Sequence, residues 1–370
     1  MKILITNATC IQDNYGGAPR AVDEIARLLS EQGHEVFVFV ADRNSKQINI
    51  QVINSKYKII RYSYFKNIFK PLNVFSTLFF YFKYLRNIKF DIMWGNSPEP
   101  WLFIPKRAKK IIYSVHGPWI LESKLDDTLS YAKKLLIKVF YNMLINKKTT
   151  VHFNSNYVLE QCFKETTAFN NSQIIISPAL INENSLNMPS YSILQNNIDI
   201  SKLNILVSRR LVNRTGVIEF LQNCILFPEE IKKQLNIIIV GSGYLENTIK
   251  IISEKFSFIT FLGSIKQEDL DYLYKTSDIC CMPSKDAEGF GVSILEALFR
   301  GTPVVYTRGG GMGDFLDSFT SNFGYQFDNK KELYNIIQMC LVLKKQGKLN
   351  FEPTKIPYNF KSNIDRIINV

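Results

Sequence analysis

Histidine is scarce in this 370-residue chain, which has only three, and its six cysteines are scattered without a CxxC or a spaced Cys/His set. That pattern excludes a structural zinc site and points to a reducing compartment. Cys280 and Cys281 are neighbours in a predicted strand, where their side chains face opposite ways. Acidic residues are also short, 33 against 45 Lys and Arg, for a net charge of +12. Such an excess bears on association and not on fold. No apolar run is long enough to span a bilayer, and residues 1–5 are too few and too quickly polar for a signal peptide. The first strand–helix turn has no GxGxxG followed by a ribose-binding acid, which argues against a nicotinamide enzyme. No recognised motif accompanies the basic charge, so nucleic acid is not an expected partner.

What is present is ordinary for a globular protein, 46% hydrophobic and 21% charged residues, in a length suited to about two domains. Residues 2–7 read as a strand, 19–32 as an amphipathic helix closed by Gly33, and 36–40 as a second buried strand. This βαβ unit predicts a parallel sheet. Between the first strand and helix lies a glycine loop with Gly16 and Gly17. Residues 56–90 carry eight Lys and Arg, many aromatics and no acid. A second such zone is 131–148, with Lys133, Lys134 and Lys138 around Leu135, Val139 and Met143. Basic residues mixed with aromatics suit helices lying on an anionic membrane surface. The strand 110–115 ends at His116-Gly117-Pro118, where open α/β sheets bind ligands. Residues 151–155 form another strand closed by Ser155, and 174–176 end the first sheet. The polar stretch 182–199 reads as a linker.

The most informative stretch is 283–314, PSKDAEGFGVSILEALFRGTPVVYTRGGGMGD. A buried strand, 278–282, leads into Glu288-Gly289-Phe290-Gly291, and an amphipathic helix from Val292 to Arg300 follows. Gly301 and Pro303 stop it, and a short strand runs into Gly309, Gly310, Gly311 and Gly313. Glycine loops against a helix N-terminus build an anion site, because backbone N–H groups there face outward. Glu288 stands in the loop and Glu296 lies inside the helix, where an acid on an apolar surface needs polar partners. Upstream, 203–207 is a strand that runs into Arg209, Arg210 and Arg214, and 237–240 ends at Gly241. Asp269-Leu270-Asp271 has the letters of a metal-binding DxD, but on a helix the two acids face different sides.

The order E-x7-E around GFG, then LEAL, GTPVV and a glycine loop resembles retaining glycosyltransferase family 4. The resemblance spans nearly the whole chain and is strongest over 203–314. It implies an α/β GT-B fold, two Rossmann-like domains with parallel sheets facing a cleft. An acceptor domain is expected at 1–181, a nucleotide-sugar domain at 200–355, and a terminal helix at 356–370 crossing back to the first. Family members commonly show Gly-Arg-Leu and then a Lys immediately before Gly. Arg210 matches the Arg, Thr215 stands at the Lys position, and Arg214 is the substitute cation.

The function implied is transfer of a hexose or N-acetylhexosamine from a nucleotide-sugar, a UDP-sugar first and GDP-mannose second, with retention. Arg210, Arg214 and the N–H groups near Gly291 and Val292 would meet the charge of the leaving diphosphate, with no metal and no cofactor. Glu288 would hold the sugar hydroxyls, Glu296 the ribose diol, and His116 the transferred sugar. Gly16, Gly17, Gly241, Gly289 and Phe290 complete the expected donor contacts. The expected acceptor is a glycan or lipid-linked hydroxyl in surface-polysaccharide synthesis, met by a cytoplasmic enzyme on the inner membrane face. The sequence leaves the oligomeric state open. The alternatives are a GT-B epimerase or phosphorylase, and a non-catalytic glycan-binding protein.

Overall fold

Short apolar runs alternating with amphipathic stretches fold here into two α/β units. The structure, a computed structural model, describes every residue except 11–16, 43–49, 54–55, 64–70, 146–147, 184–192, 287, 318–323, 350–355, 357 and 370. One unit comprises Met1–Ile120, Leu129–Asn182 and Asn359–Val370, and the other comprises Leu121–Thr128 and Glu183–Tyr358. The short piece Leu121–Thr128 thus packs with the second unit although its flanks belong to the first.

The first half of the chain runs β1 (Lys2–Asn7), α1 (Gly17–Glu31), β2 (Glu35–Asp42), β3 (Ile50–Ile53), β4 (Tyr57–Ser63), α2 (Pro71–Tyr84) and β5 (Phe90–Gly95). It continues through α3 (Pro98–Trp101), β6 (Ala108–Val115), α4 (Trp119–Leu125), α5 (Tyr131–Leu144), β7 (Thr149–Phe153), α6 (Asn156–Glu165) and β8 (Gln173–Ile176). The sheet order is β3-β4-β2-β1-β5-β6-β7-β8, parallel throughout except for β3, which pairs antiparallel with β4. Strand order reverses direction at β1 and β5, so the sheet's switch point lies at their carboxyl ends.

The basic aromatic stretch 56–90 is not one surface element. Its first part is β4, paired on both sides by β2 and β3, and Tyr57, Arg61 and Tyr62 are buried. The Arg61 guanidinium donates to Cys10 Sγ at 2.9 Å. Tyr64, Phe65, Lys66, Phe69 and Lys70 lie outside the described residues, as does Lys147. The remainder is α2, which buries Phe80 and Tyr81 and leaves Phe75 (71% exposed), Phe79 and Phe82 outside. On α5, Ile137, Tyr141 and Leu144 face inward. Tyr131 (85% exposed), Leu135, Val139 and Met143, spaced four apart, form an outward stripe. Both helices follow rightward crossovers, and right-handed connection places them on one side of the sheet. Their inner residues accordingly share one core with Phe39, Met93, Tyr113 and Phe153.

The second half runs β9 (Leu203–Ser208), α7 (Val217–Ile225), α8 (Glu229–Lys232), β10 (Leu235–Val240), α9 (Glu246–Lys255), β11 (Ile259–Gly263), α10 (Gln267–Thr276) and β12 (Ile279–Met282). It ends with α11 (Val292–Leu298), β13 (Val304–Tyr306), α12 (Met312–Leu316), β14 (Gly324–Gln326), α13 (Lys330–Lys345) and α14 (Phe360–Asn369). The order β11-β10-β9-β12-β13-β14 is parallel throughout, with its switch point between β9 and β12. Its strands are apolar on both faces because helices cover both. Helix α14 returns to the first unit, burying Phe360, Ile364, Ile367 and Ile368 and accepting Lys110 Nζ on the Ile367 carbonyl at 3.0 Å.

Candidate functional site

At the switch point of the second sheet, β9 ends in Ser208 and releases two arginines in succession. Successive residues of an extended chain point opposite ways. Arg209 turns inward and is buried, whereas Arg210 is exposed. One Arg209 Nη2 donates to Ser284 Oγ at 2.7 Å and forms an ion pair with Glu288. The partner of Glu288 is therefore Arg209, one residue before the motif arginine. Burial works against the Glu288 charge, yet Arg209 and Arg214 hold its carboxyl below the ordinary range.

Two glycines make this approach possible. A Cβ on Gly241 would stand 1.8 Å from the Arg209 carbonyl, and one on Gly310 would stand 2.3 Å from that of Glu288. Their φ angles of +140° and +98° also belong to glycine. The glycine run after β13 thus admits the backbone of Glu288, and Gly311 N–H donates to the Glu288 carbonyl at 2.8 Å. Phe290 is buried against Phe315, with ring centroids 5.1 Å apart. Gly291, in the left-handed region, starts α11 at Val292. Glu296, one turn on, is buried and accepts Tyr274 Oη at 3.0 Å. Asp271 is held in a buried ion pair with Arg300 and by Gln267 Nε2 at 2.6 Å, a structural role.

Arg214 already has carboxylate company. Its Nε donates to Asp126 Oδ2 at 3.1 Å, its backbone N–H to Asp126 Oδ1 at 3.3 Å, and Glu122 lies 4.0 Å from Nη1. The adjacent Asn213 Nδ2 donates to Asp127 Oδ2 at 3.0 Å. Burial lifts the Glu122 carboxyl to about 7, with Arg214 pulling down, Glu288 pushing up and Arg210 pulling down. Sequence reasoning missed Arg209, Glu122 and Asp126. The only available signal was the doubled arginine at a strand end.

In the first unit His116 follows β6 directly. Burial lowers its ring to about 4, against a hydrogen bond to the Asn96 backbone carbonyl, so it is neutral. Its Nε2 is buried and has no hydrogen-bond partner. Ser155 caps α6, accepting Val158 N–H at 3.1 Å, a helix-start role. Gly17 is the first residue of α1, and Gly16 lies outside the described residues.

Two Rossmann-type sheets in one chain, with cations and a carboxylate gathered at the carboxyl edge of the second, define a GT-B sugar-transferring enzyme. The family model for glycosyl transferases group 1 matches residues 193–347, and that for glycosyltransferase family 4 matches 15–166. The chain belongs to this glycosyltransferase family. It is 22% identical over 298 residues to a GDP-mannose-dependent monoacylated alpha-(1-6)-phosphatidylinositol monomannoside mannosyltransferase of Corynebacterium glutamicum, covering 77% of this chain and 75% of that one. Sucrose-phosphate synthase from Thermosynechococcus elongatus has the same fold, with a TM-score of 0.80 at 16% identity, over 100% of this chain and 97% of that one. So does an Anabaena HepE protein solved with UDP and glucose, with a TM-score of 0.69 at 18% identity, over 100% and 96%.

Proposed function

We propose that this glycosyltransferase moves a hexose or N-acetylhexosamine, with retention, from a nucleotide-sugar to a hydroxyl of a glycan or lipid-linked acceptor. A UDP-sugar is the first donor and GDP-mannose the second. The observation that carries the reading is the ionised Glu288 held by Arg209 and Arg214 at the switch point of the second sheet. The bond from the anomeric carbon to the diphosphate breaks, the bond to the acceptor oxygen forms, and the acceptor proton leaves on the phosphate. Negative charge grows on the diphosphate, where Arg210, Arg214 and the first N–H groups of α11 meet it. Glu288 orients the sugar hydroxyls, Glu296 takes the ribose diol, and neutral His116 accepts from the transferred sugar.

The acceptor is presented at an anionic membrane surface. The outward apolar stripes of α2 and α5 lie on one side of the first sheet, Lys83, Lys134 and Lys138 are exposed beside them, and neither helix contains an acid. Among the described residues no helix is long and apolar enough to cross a membrane, and peripheral contact asks for none.

The test is incubation with UDP-glucose, UDP-N-acetylglucosamine and GDP-mannose, with sugar released to water followed by NMR. Slow release of the α anomer from an α donor, lost in Glu288→Gln, is expected. Release of the β anomer would refute retention, and neither turnover nor a nucleotide-induced melting shift would refute the enzyme reading.

A further inference from the structure

Across three adjacent strands of the first sheet, side chains on one pleat face form two polar tiers. In the inner tier Trp94 Nε1 donates to Ser114 Oγ at 2.8 Å, and Ser114 Oγ meets His152 Nδ1 at 2.9 Å. His152 Nε2 reaches the Ser177 carbonyl at 3.2 Å, so every ring nitrogen in that tier is used. The outer tier, Asn96, His116 and Asn154, lies two residues further along each of the three chains. Two residues is one pleat repeat, so the second tier continues the face of the first.

The outer tier is also joined internally. The His116 ring bonds the Asn96 carbonyl, and Asn154 Nδ2 donates to the His116 carbonyl at 3.1 Å. Unlike the inner tier it is left open. Asn96 Nδ2, His116 Nε2 and Asn154 Oδ1 are all buried with no hydrogen-bond partner, on asparagines only 4% and 6% exposed. Buried polar groups are nearly always satisfied, and those left open call for an explanation. These three sit at the carboxyl ends of β5, β6 and β7, starting at the sheet's own switch point. The set is one N–H donor and two neutral acceptors, with no charge. Neighbouring hydroxyls, each able to donate and accept, complement it, whereas a phosphate or carboxylate would face two lone pairs.

We propose that Asn96, His116 and Asn154 form a sugar-ring subsite that reads adjacent hydroxyls of a pyranose. The proposal rests on the glycosyl-transfer reading and adds Asn96 and Asn154 to it. The ring belongs either to the donor or to the acceptor, and the experiment separates these sources. Saturation-transfer NMR on the full chain would use methyl α-glucopyranoside, methyl α-mannopyranoside and methyl N-acetyl-β-glucosaminide, each with and without UDP or GDP. UDP-glucose and GDP-mannose would be measured alongside. Asn96→Asp replaces the open donor with an acceptor at constant shape, and Asn96→Ser is the second variant.

The expected result is ring-proton contact in the wild type, weakened about fivefold by either substitution, with base-proton contacts unchanged. Loss confined to the rings of nucleotide-sugars assigns the subsite to the donor, and loss with a free pyranoside assigns it to the acceptor. Ring contacts unaffected by both variants, or nucleotide contacts without any ring contact, overturn the subsite and leave glycosyl transfer standing. Absence of nucleotide binding altogether sinks the reading on which it rests.

Discussion

The carboxylates on Arg214 occupy the side chain expected to meet the donor diphosphate, so removing one should tighten donor binding. The perturbation is Asp126→Asn, which keeps the shape of the partner and deletes its charge. Arg214 is 13% exposed and Asp126 19%, at 3.1 Å. Two unit charges 4 Å apart interact by about 4 kcal/mol at an effective dielectric of 20, and part-exposed pairs realise only a fraction of that. A gain of about 1–2 kcal/mol, roughly five- to thirtyfold in affinity, is expected. Calorimetry with UDP-glucose and GDP-mannose is the assay, with Arg214→Ala and the double variant closing a cycle. These ligands carry no phosphate monoester, so their own titration stays out of the neutral range. Glu122 adds a pH arm. With its carboxyl raised to about 7, it gains a proton as pH falls from 8 to 6, and a charge facing the diphosphate disappears. Affinity should therefore rise on acidification in the wild type and stay flat in Glu122→Gln. Unchanged or weaker binding in Asp126→Asn would show that Arg214 serves to hold Leu121–Thr128 in place and not to bind phosphate.

Arg209→Met should destabilise the second unit by about 2–3 kcal/mol, because it strands the partly buried Glu288 charge, and Arg209→Met with Glu288→Leu should restore most of the loss in thermal melting. Ser114→Ala leaves Trp94 Nε1 and His152 Nδ1 without their shared partner, at about 2 kcal/mol by denaturant titration, while donor binding is unchanged. Charging Glu122 opposes folding because its carboxyl is raised. Relative to Glu122→Gln, the wild type should lose melting temperature as pH rises from 5 through 7, and a loss on acidification would contradict the assignment. Liposomes with anionic lipid should float the chain at low salt, and Leu135→Ser with Val139→Ser and Lys138→Glu should abolish this; equal flotation of the variant would refute the α5 stripe as a lipid contact.

The alternation of strands and helices was legible because buried parallel strands are short continuous apolar runs and their helices carry a 3.6-residue period. β4 was not, since its tyrosines, lysine and arginine resemble a surface segment until β3 covers its outer edge. Glu288 and Glu296 were visible through their spacing and the glycines between them. Which of two adjacent arginines faces Glu288 was not, because that depends on the pleat phase in which β9 ends. Asp126 and Glu122 lie far from Arg214 along the chain, and no local pattern announces a carboxylate that will meet it. Asn96 looks like a turn residue and Asn154 like one more position of the strand 151–155. Only the bonding of the finished fold reveals that their amides are left open.

Helix α14 gives the chain a particular order of birth. Its four buried apolar side chains complete a unit whose other parts precede residue 183, so the intervening second unit must be synthesised before they exist. A nascent chain paused anywhere in that interval carries an uncovered apolar strip on its first unit. The described core of the second unit draws on Leu203 to Leu349, all made before α14, so it can condense meanwhile. The residues of α14 therefore act as a closing clasp on the first unit. Chaperone capture of the arrested chain should end when they emerge.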